Sequence, residues 1–157
     1  DDAGRELQAK RDRTEMYNDF AAAADFLRER TNVKIGVTGF CFGGAIANQL
    51  AVGLPWLAAS VPFYGGWPKA EEAASVQAPL LIHLASDDAR VNDAWPPYEA
   101  ALKAAGKSYE VHIYPGTQHA FNNDTGAARY NADAARLAWD KTIAFFNKHL
   151  GEPPKAS

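Results

Sequence analysis

The sequence has one cysteine, Cys41, among 157 residues, which excludes an internal disulfide and a cysteine-based zinc site. Any special role for that side chain is therefore the role of a lone thiol. Long apolar runs are also missing. No segment approaches the roughly 18 residues needed to cross a bilayer, and the charged start Asp1-Asp2-Ala3-Gly4-Arg5-Glu6 is no signal peptide. A membrane is not an expected partner, and the cytoplasm is the expected compartment. Clusters of basic charge are absent too: 16 Lys and Arg are scattered among 19 Asp and Glu, for a net charge of -3. Such a surface does not suit a phosphate backbone, so nucleic acid is not an expected partner either. Repeats and low-complexity tracts are lacking. With 47% hydrophobic residues the chain can fill one core, and a single domain over residues 1–157 is expected.

From Thr14 to Arg30 the apolar residues Met16, Phe20, Ala23, Ala24 and Leu27 recur at helical spacing, while Val33 to Val37 is short and rich in β-branched residues. A second helix is expected up to Gly53, followed by strands at Leu57 to Tyr64 and Pro79 to Ala85. Asn92 or Asp93 can cap a helix that carries Pro96 and Pro97 in its first turn and stops at Gly106. Ser108 to Tyr114 reads as a fourth strand. A final helix then presents Ala135, Ala138, Trp139, Thr142, Phe146 and Leu150 on one face and stops at Gly151. Strands alternating with helices predict an α/β fold, a doubly wound, mostly parallel sheet covered on both faces. Ligands in such folds bind beyond the C-terminal ends of the strands.

Three polar features fall at those ends. Cys41 sits in Gly39-Phe40-Cys41-Phe42-Gly43-Gly44, a strand–turn–helix whose glycines relieve the crowding of a sharp turn and lift the central side chain onto a helix N-terminus. Asp87 and Asp88 follow the third strand, and His119 follows the fourth. A helix N-terminus and a nearby imidazole both favour a thiolate, and a carboxylate on the other ring nitrogen fixes the tautomer. An isolated Cys is more often packing than chemistry, but the surrounding glycines argue for a nucleophile. His83 and His112, within strands, read as structural or surface residues, and His149 as a contact to a helix dipole. Tyr64, Trp67 and Trp95 flank strand ends and are candidates to line a pocket.

Other classes fit poorly. A dinucleotide-binding oxidoreductase needs Gly-x-Gly-x-x-Gly and an acidic residue ending the second strand, and neither is present. A phosphate-loop ATPase needs Gly-Lys-Ser/Thr after the glycines, and a cysteine phosphatase needs an Arg where Ala47 stands. An inactive or binding-only module with the same fold is the remaining rival.

The segments Gly39 to Gly44, Asp88-Ala89-Arg90-Val91 and Tyr114-Pro115-Gly116-Thr117-Gln118-His119-Ala120-Phe121 resemble the nucleophile, acid and histidine motifs of the dienelactone hydrolase family of α/β-hydrolases. The resemblance runs from about Thr14 to Leu150. It implies a hydrolase of esters or lactones that works through a thioester on Cys41, with His119 as base, Asp88 rather than Asp87 as acid and the Phe42 N–H as an oxyanion donor. It also implies a substrate site near Tyr64, Trp67 and Phe121, a small-molecule ester or lactone as partner, and no cofactor or metal. Family members are longer, with strands and a second oxyanion donor before this point. A C-terminal portion, with β-rich Val33 to Val37 at a sheet edge and weak or no activity on its own, is therefore expected. The family holds a substrate carboxylate with arginines, one just after the histidine. Here Ala120, Phe121, Asn122 and Asn123 stand there, which argues against a dienelactone as substrate.

Overall fold

A computed structural model describes residues 2–151. Four parallel strands, β1 (Gly36–Phe40), β2 (Ala59–Phe63), β3 (Leu80–Asp87) and β4 (Tyr109–Gln118), lie side by side in chain order. The helices are α1 (Asp2–Lys10), α2 (Arg13–Arg30), α3 (Phe42–Gly53), the short α4 (Ala89–Asn92), α5 (Trp95–Ala104) and α6 (Ala132–Leu150), with a 3-10 turn at Ala70–Ser75. Alternation along β3 shows how the layers form. Leu80, Ile82 and Leu84 pack with Ile46 and Leu50 of α3 and with Tyr98 and Leu102 of α5. Leu81 and Ala85 face the other way and join Val61 and Phe63 of β2 and Ala134, Ala138 and Phe145 of α6. A parallel sheet buried on both faces is the result, as a run of consecutive apolar residues requires.

The expected elements are present, with shifts that packing explains. β1 begins at Gly36 rather than Val33, whose side chain is 65% exposed, because the ladder to β2 starts at the pair Gly36 and Ala59. Gly36 also lets β1 approach α6: a Cβ there would lie 2.8 Å from the Phe146 ring. In α2 the residues turned to the core are Tyr17, Ala21 and Ala24, while Phe20 and Leu27 are exposed. The small residues and the bare Cα of Gly53, which meets the Tyr17 hydroxyl, decide that orientation. Asp12 caps α2, accepting from the N–H groups of Thr14 and Glu15.

Neither Asn92 nor Asp93 caps α5. Ala94 precedes its first residue, and the Asn92 amide instead donates to the carbonyls of Ala85 and Ser86, tying α4 to the end of β3. On α6 the buried face is Ala134, Ala135, Ala138, Thr142 and Phe145, so Trp139 lies outside it. His149 lies in the last turn of α6, as expected; burial and Lys148 hold its pKa below the ordinary value, and its ring packs on Phe145 at 4.4 Å. Its backbone carbonyl, at the helix end, accepts from Lys34 Nζ at 3.3 Å. Among the described residues, no helix is long and apolar enough to cross a membrane.

Candidate active site

The turn from β1 to α3 is built from close backbone approaches. A Cβ on Gly39 would lie 2.1 Å from the Gly43 carbonyl oxygen, and one on Gly44 would lie 2.4 Å from that of Phe63. Only glycine fits either place. The Cys41 N–H donates to the Phe63 carbonyl at 3.1 Å, so the turn is pinned to the end of β2. Cys41 itself has φ 57 and its side chain is exposed. Phe42 opens α3, whose first ladder bond runs from the Ala45 N–H to the Cys41 carbonyl at 3.1 Å. The Phe42 N–H therefore belongs to the first turn, which has no upstream carbonyl within the helix.

His119 links the ends of three strands. Its Nε2 lies 3.0 Å from Cys41 Sγ, and its Nδ1 lies 2.5 Å from Asp88 Oδ2. The Asp88 side chain is 5% exposed and that of His119 is 19% exposed, so the pair is shielded while the thiol is open to solvent. Asp87, the other acidic candidate, accepts instead from the Ser86 hydroxyl on the exposed side of the strand end. Nδ1–H donating to the carboxylate leaves Nε2 free to accept a proton from the thiol. A thiol, an imidazole and a carboxylate in this order can perform nucleophilic acyl transfer.

A cleft of about 330 Å³ opens at Cys41, lined by Phe40, Tyr64, Ala120, Asn122 and Asn123. Cys41, Tyr64 and Ala120 are the three non-glycine residues with positive φ among those described, at 57°, 37° and 70°. Each such conformation costs of order 1–3 kcal/mol, and all three border one cleft, as strain held at a functional site does. Nothing in the residue types Tyr and Ala signals a positive φ, so the sequence could not disclose two of these. Tyr64 is buried, and that burial pushes its phenol up to about 12, against the opposing effect of the Asn122 N–H and with a smaller contribution from the neighbouring Cys41. It stays neutral beside the His119 ring, with centroids 5.0 Å apart.

Not every expected residue reaches this cleft. Phe121 is fully buried beneath it, touching Tyr64 and Tyr114. Trp67 and the Phe42 side chain line a separate cleft of about 400 Å³ with Arg13, Tyr17 and Gln49. The Trp67 indole donates to the Val91 carbonyl at 2.8 Å and stacks on Trp95, which is buried. Phe40, Asn122 and Asn123 line the thiol cleft, and their position beside Cys41 and His119 was the only sequence signal for them. Among the described residues, no group of three or more His, Cys, Asp or Glu side chains is arranged to hold a metal.

The family model described as dienelactone hydrolase family matches residues 1–150. The chain is 34% identical over 143 residues to a protein of Saccharolobus solfataricus named "Putative carboxymethylenebutenolidase", covering 90% of this chain and 55% of that one. It is 35% identical over 165 residues to protein usf of Aquifex pyrophilus, covering 96% of this chain and 68% of that one. Among solved structures, the dienelactone hydrolase-like promiscuous phosphotriesterase P91 from metagenomic libraries superposes with a TM-score of 0.80 at 25% identity, covering 89% of this chain and 64% of that one. The chain thus spans little more than half to about two thirds of the length of these relatives. With the family model matching residues 1–150, the chain, built on a four-stranded parallel sheet, belongs to the dienelactone hydrolase family.

Proposed function

We propose that this protein hydrolyses a carboxylic ester or lactone through a thioester on Cys41. The observation that carries this reading is the single imidazole of His119, within hydrogen-bond reach of Cys41 Sγ on one side and Asp88 Oδ2 on the other. His119 Nε2 takes the thiol proton as Sγ attacks the carbonyl carbon, and Asp88 stabilises the imidazolium that forms. The carbonyl oxygen gains negative charge at the N-terminus of α3, where the Phe42 N–H donates to it. The intermediate collapses, the carbon–oxygen bond to the alcohol breaks, and His119 returns its proton to the departing oxygen. Water, deprotonated by the same Nε2, then attacks the thioester and releases the acid and the thiolate.

The cleft at Cys41 supports an uncharged acyl group. Its lining is a phenyl ring, a neutral phenol, a methyl and two amides, with no Lys or Arg among the described residues that border it. A small aromatic or short aliphatic acyl group matches that lining, whereas a free carboxylate next to the scissile bond would meet no cation there.

The test is to incubate the protein with an aryl ester of a short acid, quench in acid and look for the acyl adduct by mass spectrometry. The adduct should map to Cys41 and be absent from Cys41→Ala, together with hydrolysis. Hydrolysis that survives in Cys41→Ala would remove the reading.

A further inference from the structure

Beneath the thiol–imidazole–carboxylate group lies a second polar cluster that the proposed reaction does not use. His83, in the middle of β3, is fully buried, with Nδ1 2.9 Å from the Tyr114 hydroxyl of β4 and Nε2 3.1 Å from Thr142 Oγ1 of α6. Donor accounting fixes every proton in it. The Thr142 hydroxyl spends its one hydrogen on the Ala138 carbonyl, 2.8 Å away, so it can only accept from His83. Nε2 therefore carries the ring hydrogen, Nδ1 is the acceptor, and the Tyr114 hydroxyl donates to it. A one-way chain of hydrogen bonds runs from β4 through β3 into α6. The imidazole is neutral in this arrangement, which its burial, His112 stacked at 6.1 Å and the nearby Lys141 all favour.

The cluster sits where the strand pairing changes. Tyr114 is opposite Ala85, but the next pair is Asp87 with Gln118, so two steps along β3 are matched by four along β4. The extra residues form a bulge that contains Gly116 at φ 69, and the Thr117 hydroxyl closes it by donating to the Tyr114 carbonyl at 2.7 Å. Bulges re-aim the side chains that follow them, and here the side chain that follows is His119. His83 and Tyr114 each stand five positions before one member of the Asp88 and His119 pair. Their hydrogen bond is a diagonal cross-strand tie, made at the last regular residue before the bulge.

We propose that His83 and Tyr114 are positioning residues for the Asp88 and His119 pair: their buried hydrogen bond locks β4 to β3 at the base of the bulge and so sets the reach of His119 to both Asp88 and Cys41. The proposal rests on the reading of Cys41, His119 and Asp88 as the reacting group. Tyr114 also supports the site from below through ring contacts, to Phe121 at 5.0 Å and from Phe121 to Tyr64 at 5.4 Å. Without the tie the backbone ladder and the Thr117 hydroxyl must hold the bulge, and a shift of about 1 Å at a reacting group can cost on the order of a hundredfold in rate.

Because Cys41 is the sole cysteine, alkylation by iodoacetamide followed on the whole protein reports this thiol alone. Tyr114→Phe, which removes only the hydroxyl, should slow alkylation at pH 7 by about tenfold and lower kcat on an aryl ester by roughly ten- to a hundredfold, with KM within about twofold. His119→Ala should have the larger effect, and adding Tyr114→Phe to it should change alkylation no further, since Tyr114 acts through His119. A Tyr114→Phe protein that melts earlier yet alkylates and turns over like the parent overturns the proposal. So does an equal slowing with and without His119. If Tyr114→Phe does not fold, His83→Gln, which keeps a donor and an acceptor, carries the same comparison against His119→Ala. Should His119→Ala by itself leave alkylation and hydrolysis unchanged, it is the thiol–imidazole reading that fails, and the positioning role with it.

Discussion

Acidification from pH 7 to pH 4 is expected to destabilise the fold through His83, by an amount the structure allows to be worked out. Burial is the main cause, with His112 of β4 and Lys141 of α6 adding like charge, and together they bring its pKa from 6.5 down to about 3. In the unfolded chain the same imidazole titrates near 6.5. Between these values the unfolded state binds a proton that the folded state refuses, so stability falls as pH falls. The loss begins near pH 6.5 and is complete near pH 3. At pH 4 the unfolded group lies about 2.5 units above the pH, and at about 1.4 kcal/mol per unit this amounts to about 3 kcal/mol. Urea unfolding of the parent and of His83→Gln at pH 7, 6, 5 and 4 isolates the effect, because carboxylates common to both cancel in the difference. The parent should lose about 3 kcal/mol more than the variant over that range. Equal losses would mean that His83 takes up its proton inside the folded protein, and the reasoning from burial would be refuted.

Two further outcomes are expected. Gly44→Ala places a methyl 2.4 Å from the Phe63 carbonyl oxygen, a backbone atom that cannot swing away, and should cost about 2–3 kcal/mol, seen as a fall in melting temperature of roughly 5–10 °C. Asp88→Asn removes the charge that faces the imidazolium; a partly screened pair at about 4 Å is worth about 4 kcal/mol, so kcat/KM on an aryl ester should fall about a thousandfold while the melting profile changes far less.

The parts of the molecule that sequence made legible are those where one residue type has one physical use. Gly39, Gly44 and Cys41 announce a sharp turn because the backbone contacts there admit no Cβ, and the turn is where it was expected. The two-faced burial of β3 follows from Leu80 to Ala85, five apolar residues broken only by His83, a run that no half-exposed strand would carry. What misled was any choice settled by a neighbour distant in sequence. Val33 to Ile35 has the composition of a strand, yet the ladder starts where β2 offers a partner. Trp139 lies on the expected stripe of α6, yet it is exposed and Phe145 packs against the sheet instead. Trp67 is drawn from the thiol cleft by a carbonyl 24 positions away, that of Val91. The meeting of Cys41 with His119 spans 78 positions, and no local pattern could measure its 3.0 Å.

Strand order that matches chain order divides the site into two local halves. Asp88 and His119 belong to one β–α–β unit, β3 to β4, while Cys41 comes with β1 and α3 and reaches the imidazole only across β2. A partly unfolded chain that keeps the β3–β4 unit would hold the acid–imidazole pair but not its thiol, so the reactivity of Cys41 would vanish before the pair separates. The same thiol can thus serve as a clock for folding: its accelerated alkylation should appear last on refolding and disappear first in denaturant, ahead of the protection of amides in β3 and β4.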